Sequence, residues 1–271
     1  MSDVTFTLER GSAPLVLSLP HDGTEIPDQV ARALVPRALA VEDTDWHLAE
    51  VYDFARALGA SVLVPRLSRY VIDLNRPPAN TPMYAGANNT ELVPTRFFTG
   101  DALYRDGVVP DEREIERRRE TYWRPYHEAL AAELARVVAA HGHVVLWEGH
   151  SIQAEVPWLF DGRLADLNLG TAGGTSCAPS LRSALMVVLA AQSSFSHVTD
   201  GRFKGGYITR EYGRPGAQVH AVQLEMALST YMDETRAALP VAPADPARLA
   251  LLRPVLRHLL ETTLAWRPDD R

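Results

Sequence analysis

The stretch Pro14-Leu-Val-Leu-Ser-Leu-Pro-His21 is a short apolar run that closes on a histidine. A second run, Val144-Val-Leu-Trp-Glu-Gly-His150, ends in the same way. Runs of this length that close on a polar turn predict buried β-strands. In open α/β sheets, ligands bind at the carboxyl ends of the strands, so both histidines are expected at one edge. Two imidazoles with carboxylates nearby are typical of a mononuclear zinc site, although each histidine could instead only cap its own strand.

The length and composition of the chain fit one large domain. The chain has 271 residues, of which 46% are hydrophobic, and its formal net charge is -7. We therefore expect a single α/β domain over residues 1–271 with one core. The acidic balance argues against binding to nucleic acid, which requires a basic surface, and against binding to anionic membranes. An anionic substrate would have to meet local positive charge.

The N-terminal residues and the cysteine count predict a cytoplasmic protein. The first residues show neither the basic segment nor the apolar segment of a signal peptide, and no stretch approaches the ~18 apolar residues of a membrane helix. Cys177 is the single cysteine, which excludes an internal disulfide and a cysteine-based zinc site. The sequence does not indicate an oligomeric state.

Predicted strands and helices alternate along the chain. This order predicts an α/β fold of three layers, with a mainly parallel or mixed central sheet and helices on both faces. The predicted strands span residues 4–9, 15–19, 61–65, 70–74, 144–147, 165–169 and 219–224. The predicted helices span residues 28–34, 45–58, 110–141 with a kink at Pro125, 178–191, 227–239 and 245–266. Residues 75–107 are expected to form a long irregular segment, and residues 201–216 are rich in glycine, basic residues and tyrosine.

A third metal ligand should be a carboxylate or another histidine close to His21. The candidates are Glu25, Asp43 and Asp45, with Asp22 and His47 as weaker ones. Spacing alone does not choose among them. An acid at the position of Asp45 would also be an ordinary N-cap, because the predicted helix begins there.

The segment Tyr70-Val-Ile-Asp-Leu-Asn-Arg76 gathers Asp73, Asn75 and Arg76 at the end of an apolar run. Arginine recognises carboxylates through two parallel hydrogen bonds, and a neighbouring asparagine adds a directional donor. The alternative is an ion pair between the aspartate and the arginine that only holds a loop. Because the segment is expected at the same sheet edge as the histidines, it predicts a site for a substrate carboxylate.

Two later segments add polar groups to this edge. Gly201-Arg202-Phe-Lys-Gly-Gly-Tyr-Ile-Thr-Arg210 places Arg202 and Arg210 around paired glycines, where a ligand can approach the backbone closely. Beside Arg76 this suggests a substrate with more than one anionic group, although a basic surface turn is an equal alternative. Glu225 ends the strand predicted before it, so its carboxylate is a candidate general base, or else an acid that opens the next helix.

Together these motifs resemble the N-formylglutamate amidohydrolase (deformylase) family. The likeness covers about residues 14–225, most of the chain. It rests on Ser18-Leu-Pro-His21-Asp-Gly, Asp43-Thr-Asp45-Trp, Ser68-Arg-Tyr-Val-Ile-Asp-Leu-Asn-Arg76, Trp147-Glu-Gly-His150-Ser, Gly205-Gly-Tyr-Ile-Thr-Arg210 and Gln223-Leu-Glu225. The family is similar in architecture to the zinc carboxypeptidases, which implies a carboxypeptidase-like (phosphorylase/hydrolase-like) three-layer fold.

The resemblance implies one zinc ion per chain, held by His21 and His150. Zinc carboxypeptidases carry an acid three residues after the first histidine, but Thr24 occupies that position here. Glu25 lies one residue too late, whereas an acid at the position of Asp45 recurs in the family. The resemblance therefore favours Asp45 as the third ligand.

The resemblance also implies an activity, which is zinc-dependent hydrolysis of N-formyl-L-glutamate to L-glutamate and formate in histidine degradation. Glu225 would be the general base, and Asn75 with Arg76 would hold one substrate carboxylate. Arg202 or Arg210 would hold the other carboxylate. Two alternatives stay open, namely a related zinc enzyme that acts on another N-acyl amino acid or a small peptide, and a non-catalytic metal-binding relative.

Overall fold

The two apolar runs that end on histidines lie side by side in one mixed β-sheet. The computed structural model describes residues 5–83, 88–236 and 241–268 of the chain. The strands are β1 (Phe6–Glu9), β2 (Leu15–Ser18), β3 (Ser61–Pro65), β4 (Val144–Ile152), β5 (Leu167–Gly170), β6 (His197–Thr199) and β7 (Val219–Ala227). Their order in the sheet is β1-β3-β2-β4-β7-β5-β6. Strands β3, β2, β4 and β7 run parallel, while β1 and β5 join them antiparallel.

Burial on both faces explains why the central strands read as apolar runs. All four residues of β2 and all nine residues of β4 are buried. Parallel strands that are covered on both faces carry nearly continuous apolar sequence, because neither face meets water. The predicted mixed sheet is confirmed, with β2 and β4 at its centre.

Helices of varied length cover this sheet. The helices of the described residues are α1 (Asp28–Ala31), α2 (Leu48–Val51), α3 (Glu112–Arg118), α4 (Arg124–His141), α5 (Pro179–Ala191), α6 (Tyr207–Tyr212) and α7 (Pro246–Ala265). Short 3-10 turns lie at Pro36–Ala40, Asp53–Ala55, Ala172–Gly174, Pro215–Ala217, Leu228–Thr230 and Glu234–Arg236. Helices α2, α4 and α6 contact β4, while α5 packs against α7. The predicted α/β class is confirmed.

The long helix predicted around Pro125 is interrupted, as expected. A π-helical segment, Arg119–Trp123, joins α3 to α4 just before this proline. Proline has no backbone N–H and its ring crowds the preceding turn, so a regular α-helix cannot run through this point undisturbed. None of the described helices combines the length and the apolar character that crossing a membrane requires.

The amphipathic helix predicted at residues 45–58 is wrong, because only the short helix α2 and a 3-10 turn form there. His47 has a φ of 64°, in the left-handed region, so a regular helix cannot start before it. Asp45 is not an N-cap but turns inward to His150. Asp22 serves as the cap instead, since its Oδ1 accepts the first N–H of α2 at 2.8 Å.

The strand predicted at residues 70–74 is also wrong. This segment is a series of buried turns, in which the Val71 N–H donates to the Ser68 carbonyl at 2.9 Å. The Asp73 N–H donates to the Leu92 carbonyl at 2.7 Å, so the long loop that follows is folded back onto it. A short buried apolar run carries no periodicity that separates a strand from packed turns.

The helix predicted at residues 227–239 is wrong over the described residues. Strand β7 runs on to Ala227, two 3-10 turns follow it, and residues 237–240 lie outside the described part of the chain. The glycine-rich segment at residues 201–216, for which no helix or strand was predicted, contains helix α6. Both differences lie at the carboxyl edge of the sheet, where tertiary contacts outweigh local preference.

A small apolar cluster stands apart from the main core beside the end of β4. Its buried members are Ile152, Val156 and Leu164, with Phe98, Leu159, Phe160 and Phe203 packed against them. The main core contains both faces of β2, β4 and β7. The small cluster therefore forms a separate wall at the sheet edge where the site residues lie.

His127 is a buried histidine of α4 that supports this edge from behind. Its Nε2 lies 2.9 Å from the Leu74 carbonyl, so it donates there, and its Nδ1 lies 3.0 Å from the Tyr212 hydroxyl. The ring stacks on Trp123 with centroids 3.7 Å apart. Burial lowers the pKa of His127 to about 3, because the imidazolium would lose its water.

This lowered pKa predicts that the protein loses stability in mild acid. Below about pH 6.5 the unfolded chain binds a proton at His127 that the folded protein refuses, so the free energy of unfolding falls as the pH falls. One such group contributes about 1.4 kcal/mol per pH unit. The variant His127→Gln should be less stable than the wild type at pH 7.5. The difference in free energy of unfolding between the two proteins should shrink by about 2 kcal/mol at pH 5, as measured by urea unfolding.

The matched control for this experiment is His141→Gln, which changes an exposed histidine at the end of the same helix. Its free energy of unfolding should stay within about 0.5 kcal/mol of that of the wild type at pH 7.5, because an exposed side chain makes few contacts. A constant gap between wild type and His127→Gln from pH 7.5 to pH 5 would contradict the assignment of His127 as a buried neutral group.

Candidate active site

Three predicted metal ligands, His21, Asp45 and His150, converge in the structure. Each offers one donor atom, and these atoms all lie within 4.8 Å of one another. The centroids of the two imidazole rings are 4.9 Å apart. All three residues are buried, with exposed fractions of 3%, 1% and 2%. The prediction that the two histidines face one point is confirmed, and the described residues contain no second cluster of this kind.

Parallel pairing at the centre of the sheet brings the two histidines together. Ser18 of β2 lies opposite Glu148 of β4, and His21 and His150 follow these positions by three and two residues. His150 lies inside β4 rather than after it, because the strand continues beyond this residue. The Asp45 N–H donates to the His21 carbonyl at 3.1 Å, which holds the loop of the carboxylate against the first histidine.

Asp45 lies between the histidines and is oriented by further donors. Its Oδ2 is 2.9 Å from His150 Nδ1 and 3.7 Å from His21 Nδ1. The same oxygen accepts the Ser151 N–H at 3.1 Å. Arg69 donates to the other oxygen, Oδ1, at 3.4 Å. The nitrogens that face the shared carboxylate are therefore the Nδ1 atoms of both rings.

The outer nitrogen of each ring contacts a second carboxylate. His21 Nε2 is 2.7 Å from Asp73 Oδ1, and His150 Nε2 is 2.6 Å from Glu148 Oε1. Asp73 and Glu148 have no exposed surface. Histidines that bind metal ions commonly donate their second N–H to a carboxylate, which fixes the ring and its tautomer. This arrangement leaves the two Nδ1 atoms directed at the centre of the cluster.

The other candidates for the third ligand make contacts elsewhere. Glu25 forms a half-exposed ion pair with Arg66 at 2.8 Å. Asp43 accepts a hydrogen bond from the Tyr70 hydroxyl at 2.7 Å. His47 Nε2 lies 2.9 Å from a main-chain carbonyl. Asp45 is therefore the carboxylate that geometry favours beside the two histidines.

The charges of this cluster compensate one another. Burial alone would lower the pKa of His150, but Glu148 and Asp45 raise it to about 10. Burial alone would raise the pKa of Asp45, but His21 and His150 hold it well below its usual range. Burial raises the pKa of Glu225 to about 8, which leaves this carboxyl group able to hold a proton near neutral pH.

A cavity opens onto this cluster from the carboxyl edge of the sheet. Its polar walls contain the cluster, Glu225 and two arginines, and its apolar walls come from the small cluster beside β4. The lining residues are His21, Asp45, Arg69, Asn75, Arg76, Met83, Phe98, His150, Ser151, Ile152, Leu159, Phe203, Gly206, Gln223 and Glu225. Apolar walls with a few convergent polar groups are typical of a small-molecule site.

Arg69 is a site residue that the sequence analysis did not single out. It is buried, and its guanidinium donates to Asp73 Oδ2 at 2.9 Å and to Asp45 Oδ1 at 3.4 Å. Its charged end lies 4.7 Å from the centre of the Phe98 ring. Arg69 belongs to the same sequence motif as Asp73, so the sequence does place an arginine near this carboxylate. The direction in which its side chain points follows only from the turns at residues 70–74.

Asn75 and Arg76, the pair predicted to hold a substrate carboxylate, both line the cavity. The Arg76 guanidinium is held at the cavity wall because it donates to the Thr90 carbonyl at 3.0 Å and to the Asn75 carbonyl at 2.9 Å. Asn75 Oδ1 accepts the Ile208 N–H at 2.9 Å, and its Nδ2 lies 3.0 Å from His150 Nε2. The pair therefore links the long loop, helix α6 and the histidine cluster.

Arg202 and Arg210 lie outside the lining residues that the structure describes for this cavity. Arg202 donates to the Leu159 carbonyl at 2.8 Å and stands next to Phe203, which does line the cavity. Arg210 donates to the Gly205 carbonyl at 2.8 Å. Their predicted contact with substrate stays a prediction.

Glu225 faces the cavity from β7, beside His150. The two residues are direct neighbours in the parallel pairing of β4 with β7. Glu225 Oε2 accepts a hydrogen bond from Gln223 Nε2 at 3.3 Å, and 6% of the residue is exposed. A carboxyl group next to a candidate metal centre, with a pKa near 8, can exchange protons with a molecule bound in the cavity.

Comparisons with known proteins indicate one family for this chain. A family model for N-formylglutamate amidohydrolase matches residues 13–232. N-formylglutamate deformylase of Pseudomonas aeruginosa is 50% identical over 265 residues, which cover 97% of each chain. The enzyme of the same name from Pseudomonas putida is 47% identical over 265 residues, with the same coverage.

Solved structures with a similar fold are also known. An N-formylglutamate amidohydrolase from Ralstonia eutropha superposes with a TM-score of 0.76 at 26% identity, over 96% of each chain. A gene product of Agrobacterium tumefaciens superposes with a TM-score of 0.72 at 18% identity, again over 96% of each chain. The second likeness concerns the fold alone.

A substitution at Gly206 tests how tightly the residues of the cavity are packed. A Cβ atom at this position would lie 2.2 Å from Asn75 Nδ2, which is fixed by its contacts to His150 and to helix α6. The variant Gly206→Ala should therefore displace the Asn75 amide and lower the free energy of unfolding by about 1–3 kcal/mol. Urea unfolding at neutral pH measures the effect.

The matched control is Gly216→Ala, since nothing lies within 4 Å of a Cβ atom at Gly216. That variant should unfold within about 0.5 kcal/mol of the wild type. Equal stability of Gly206→Ala and Gly216→Ala would show that the Asn75 side chain moves freely, against the geometry described here.

Proposed function

This chain belongs to the N-formylglutamate amidohydrolase family, and we propose that it hydrolyses the formyl amide of N-formyl-L-glutamate, giving L-glutamate and formate. The observation that carries the proposal is the likeness to two deformylases, about half identical over nearly the whole chain, together with an open cavity that holds the required polar groups. An amidohydrolase needs an activated water, a proton acceptor and a means of holding the substrate anion. The cavity offers a candidate residue for each need.

The proposal places one divalent metal ion between His21, Asp45 and His150, with zinc as the expected ion. Two imidazoles and one carboxylate are a common zinc ligand set, and it leaves a position for water or substrate. The fit rests on the donor atoms, which converge within 4.8 Å while the outer ring nitrogens contact carboxylates. When bound, such an ion supplies Lewis acidity to a carbonyl group and lowers the pKa of water.

Glu225 is the proposed general base. Its buried carboxyl group faces the cavity next to His150 in the strand register, so it can reach a water molecule near the candidate metal centre. In its ionised form, which a divalent ion bound nearby would favour, the Glu225 carboxylate would accept a proton as the water attacks the formyl carbon. It would then deliver that proton to the nitrogen of glutamate as the amide C–N bond breaks.

The two arginines of the cavity are assigned different parts in this proposal. Arg76, with Asn75, would hold a carboxylate of the substrate, because its guanidinium is anchored at the wall. Arg69 contacts Asp45, so its charge lies next to the candidate metal centre and would stabilise charge that develops on the formyl oxygen. Arg202 and Arg210 stay the predicted contacts for the second carboxylate.

Three further expectations belong to this proposal and rest on the family resemblance and the composition. They are a role in histidine degradation, a cytoplasmic location, and one domain that spans residues 1–271. The substrate itself is a small molecule with two carboxylates. A panel of N-acyl amino acids would separate this substrate from the alternatives, because a related amidase would prefer another acyl group or another amino acid.

Metal dependence is tested by formate release from N-formyl-L-glutamate before and after chelation. Treatment of the purified protein with a strong chelator should abolish formate release, and added zinc should restore it. The expected loss is on the order of 10³-fold or more, since the Lewis acid and the activated water are lost together. The variant His21→Ala should lose zinc in elemental analysis. Activity that persists after the metal has been removed would contradict the proposed metal centre.

The assignment of Glu225 is tested by the variant Glu225→Gln. We expect it to bind zinc like the wild type but to lose activity by about 10²–10⁴-fold, the usual contribution of general acid–base catalysis. Burial raises the pKa of Glu225, so this carboxyl group lowers the free energy of unfolding at pH 7.5, where the unfolded chain releases its proton freely. The glutamine variant has no such proton to release. Without metal, its free energy of unfolding at pH 7.5 should therefore be at least as high as that of the wild type. Near-normal turnover in this variant would exclude Glu225 as the base.

A further inference from the structure

Glu148 is a fully buried carboxylate that contacts the candidate metal centre from behind. Its Oε1 lies 2.6 Å from His150 Nε2, and its Oε2 accepts the Thr209 N–H at 3.0 Å. The Thr209 hydroxyl donates to the same Oε2. Glu148 is not among the described residues that line the cavity, so it touches His150 rather than a bound substrate.

These contacts determine which nitrogen of His150 carries a proton. Both contacts to Oε2 come from donors on Thr209, so the carboxyl group of Glu148 acts as a hydrogen-bond acceptor there. His150 Nε2 lies 2.6 Å from Oε1 and 3.0 Å from the Asn75 amide nitrogen, which is a donor, so the closer carboxylate oxygen is the acceptor to which the Nε2–H is directed. The ring nitrogen left to bind a cation is Nδ1, the atom that faces Asp45.

The helix that holds Glu148 is itself anchored to site residues. The first backbone N–H groups of a helix have no partner within the helix and need one outside it. At the start of α6, the Ile208 N–H donates to Asn75 Oδ1 at 2.9 Å and the Thr209 N–H donates to Glu148. Just before them, the Gly206 N–H donates to Gln223 Oε1 at 2.7 Å. The start of α6 is therefore a rigid support for Glu148.

The opposite histidine has a comparable carboxylate with a different support. Asp73 contacts His21 Nε2 at 2.7 Å and is held by Arg69 at 2.9 Å and by the Asn75 N–H at 2.8 Å. That carboxylate relies on a positive charge that lines the cavity. Glu148 instead relies on a neutral threonine away from the cavity. Thr209 can therefore be changed without altering a charge.

We propose that Glu148, held by Thr209, is a positioning residue that keeps His150 as the Nε2–H tautomer and directs Nδ1 at the metal ion. This inference rests on the metal centre of the proposed function and adds the residues that orient one of its ligands. Loss of such a supporting group typically weakens metal binding about 10- to 100-fold. Thr209 and Glu148 should therefore influence zinc affinity without contact with zinc or substrate.

The experiment compares Thr209→Val with Thr209→Ser and Glu148→Gln. Zinc affinity is measured by competition with a chromophoric chelator, and the His150 Nε2–H proton is observed by ¹H–¹⁵N NMR of the zinc-loaded protein. Thr209→Val, which replaces the hydroxyl with a methyl group, should bind zinc about 10-fold more weakly and lose a sharp Nε2–H signal. Thr209→Ser keeps the hydroxyl and should match the wild type in both measurements. Glu148→Gln should weaken zinc binding about 10- to 100-fold.

The possible results separate this inference from the proposed function. If the wild type itself fails to bind zinc, the metal centre is wrong, and the inference fails with it. If the wild type binds zinc and Thr209→Val binds equally tightly with an unchanged Nε2–H signal, the inference alone is overturned. Equal weakening in Thr209→Val and Thr209→Ser would also overturn it, because the effect would then come from packing. The threonine pair keeps the test decisive should Glu148→Gln not fold.

Discussion

The parallel pairing of β4 with its neighbours is the constraint on which the site depends. The register of β4 against β7 sets His150 directly beside Glu225, and the register against β2 sets Glu148 beside Ser18. A shift of one residue would turn every side chain of β4 to the opposite face, so the histidine and the glutamate could not both point into the cavity. Burial of all nine residues of β4 makes such a shift costly.

The second constraint is electrostatic, since several ionisable groups share one buried volume. A buried charge is tolerated only when it is paired and hydrogen-bonded. Asp45 lies between both histidines and Arg69, and the outer nitrogen of each histidine contacts a further carboxylate. The pairs fix the rings so that two Nδ1 atoms and a carboxylate meet at one point. This arrangement explains how a site rich in charge persists inside a core that is otherwise apolar.

Helix α6, which was not predicted from the sequence, connects these two constraints. Its opening N–H groups are satisfied by Asn75, which lines the cavity, and by Glu148, which contacts His150 of the candidate metal centre. A glycine-rich segment was needed for this approach, because a Cβ at Gly206 would overlap Asn75. The same contacts that complete a short helix therefore also hold the side chains around the cavity.

The sequence by itself determined most of the strands, the alternating α/β order and the two histidines at one sheet edge, because apolar runs are read directly from the local sequence. It also placed Asn75, Arg76 and Glu225 at the cavity. Only the tertiary structure decided that Asp45 turns to His150 instead of capping a helix, that residues 70–74 form turns and not a strand, and that Arg69 and Glu148 support the cluster. These features arise from pairings between residues far apart in the chain, in which the cost of burying each charge is offset by a partner that no spacing along the sequence reveals.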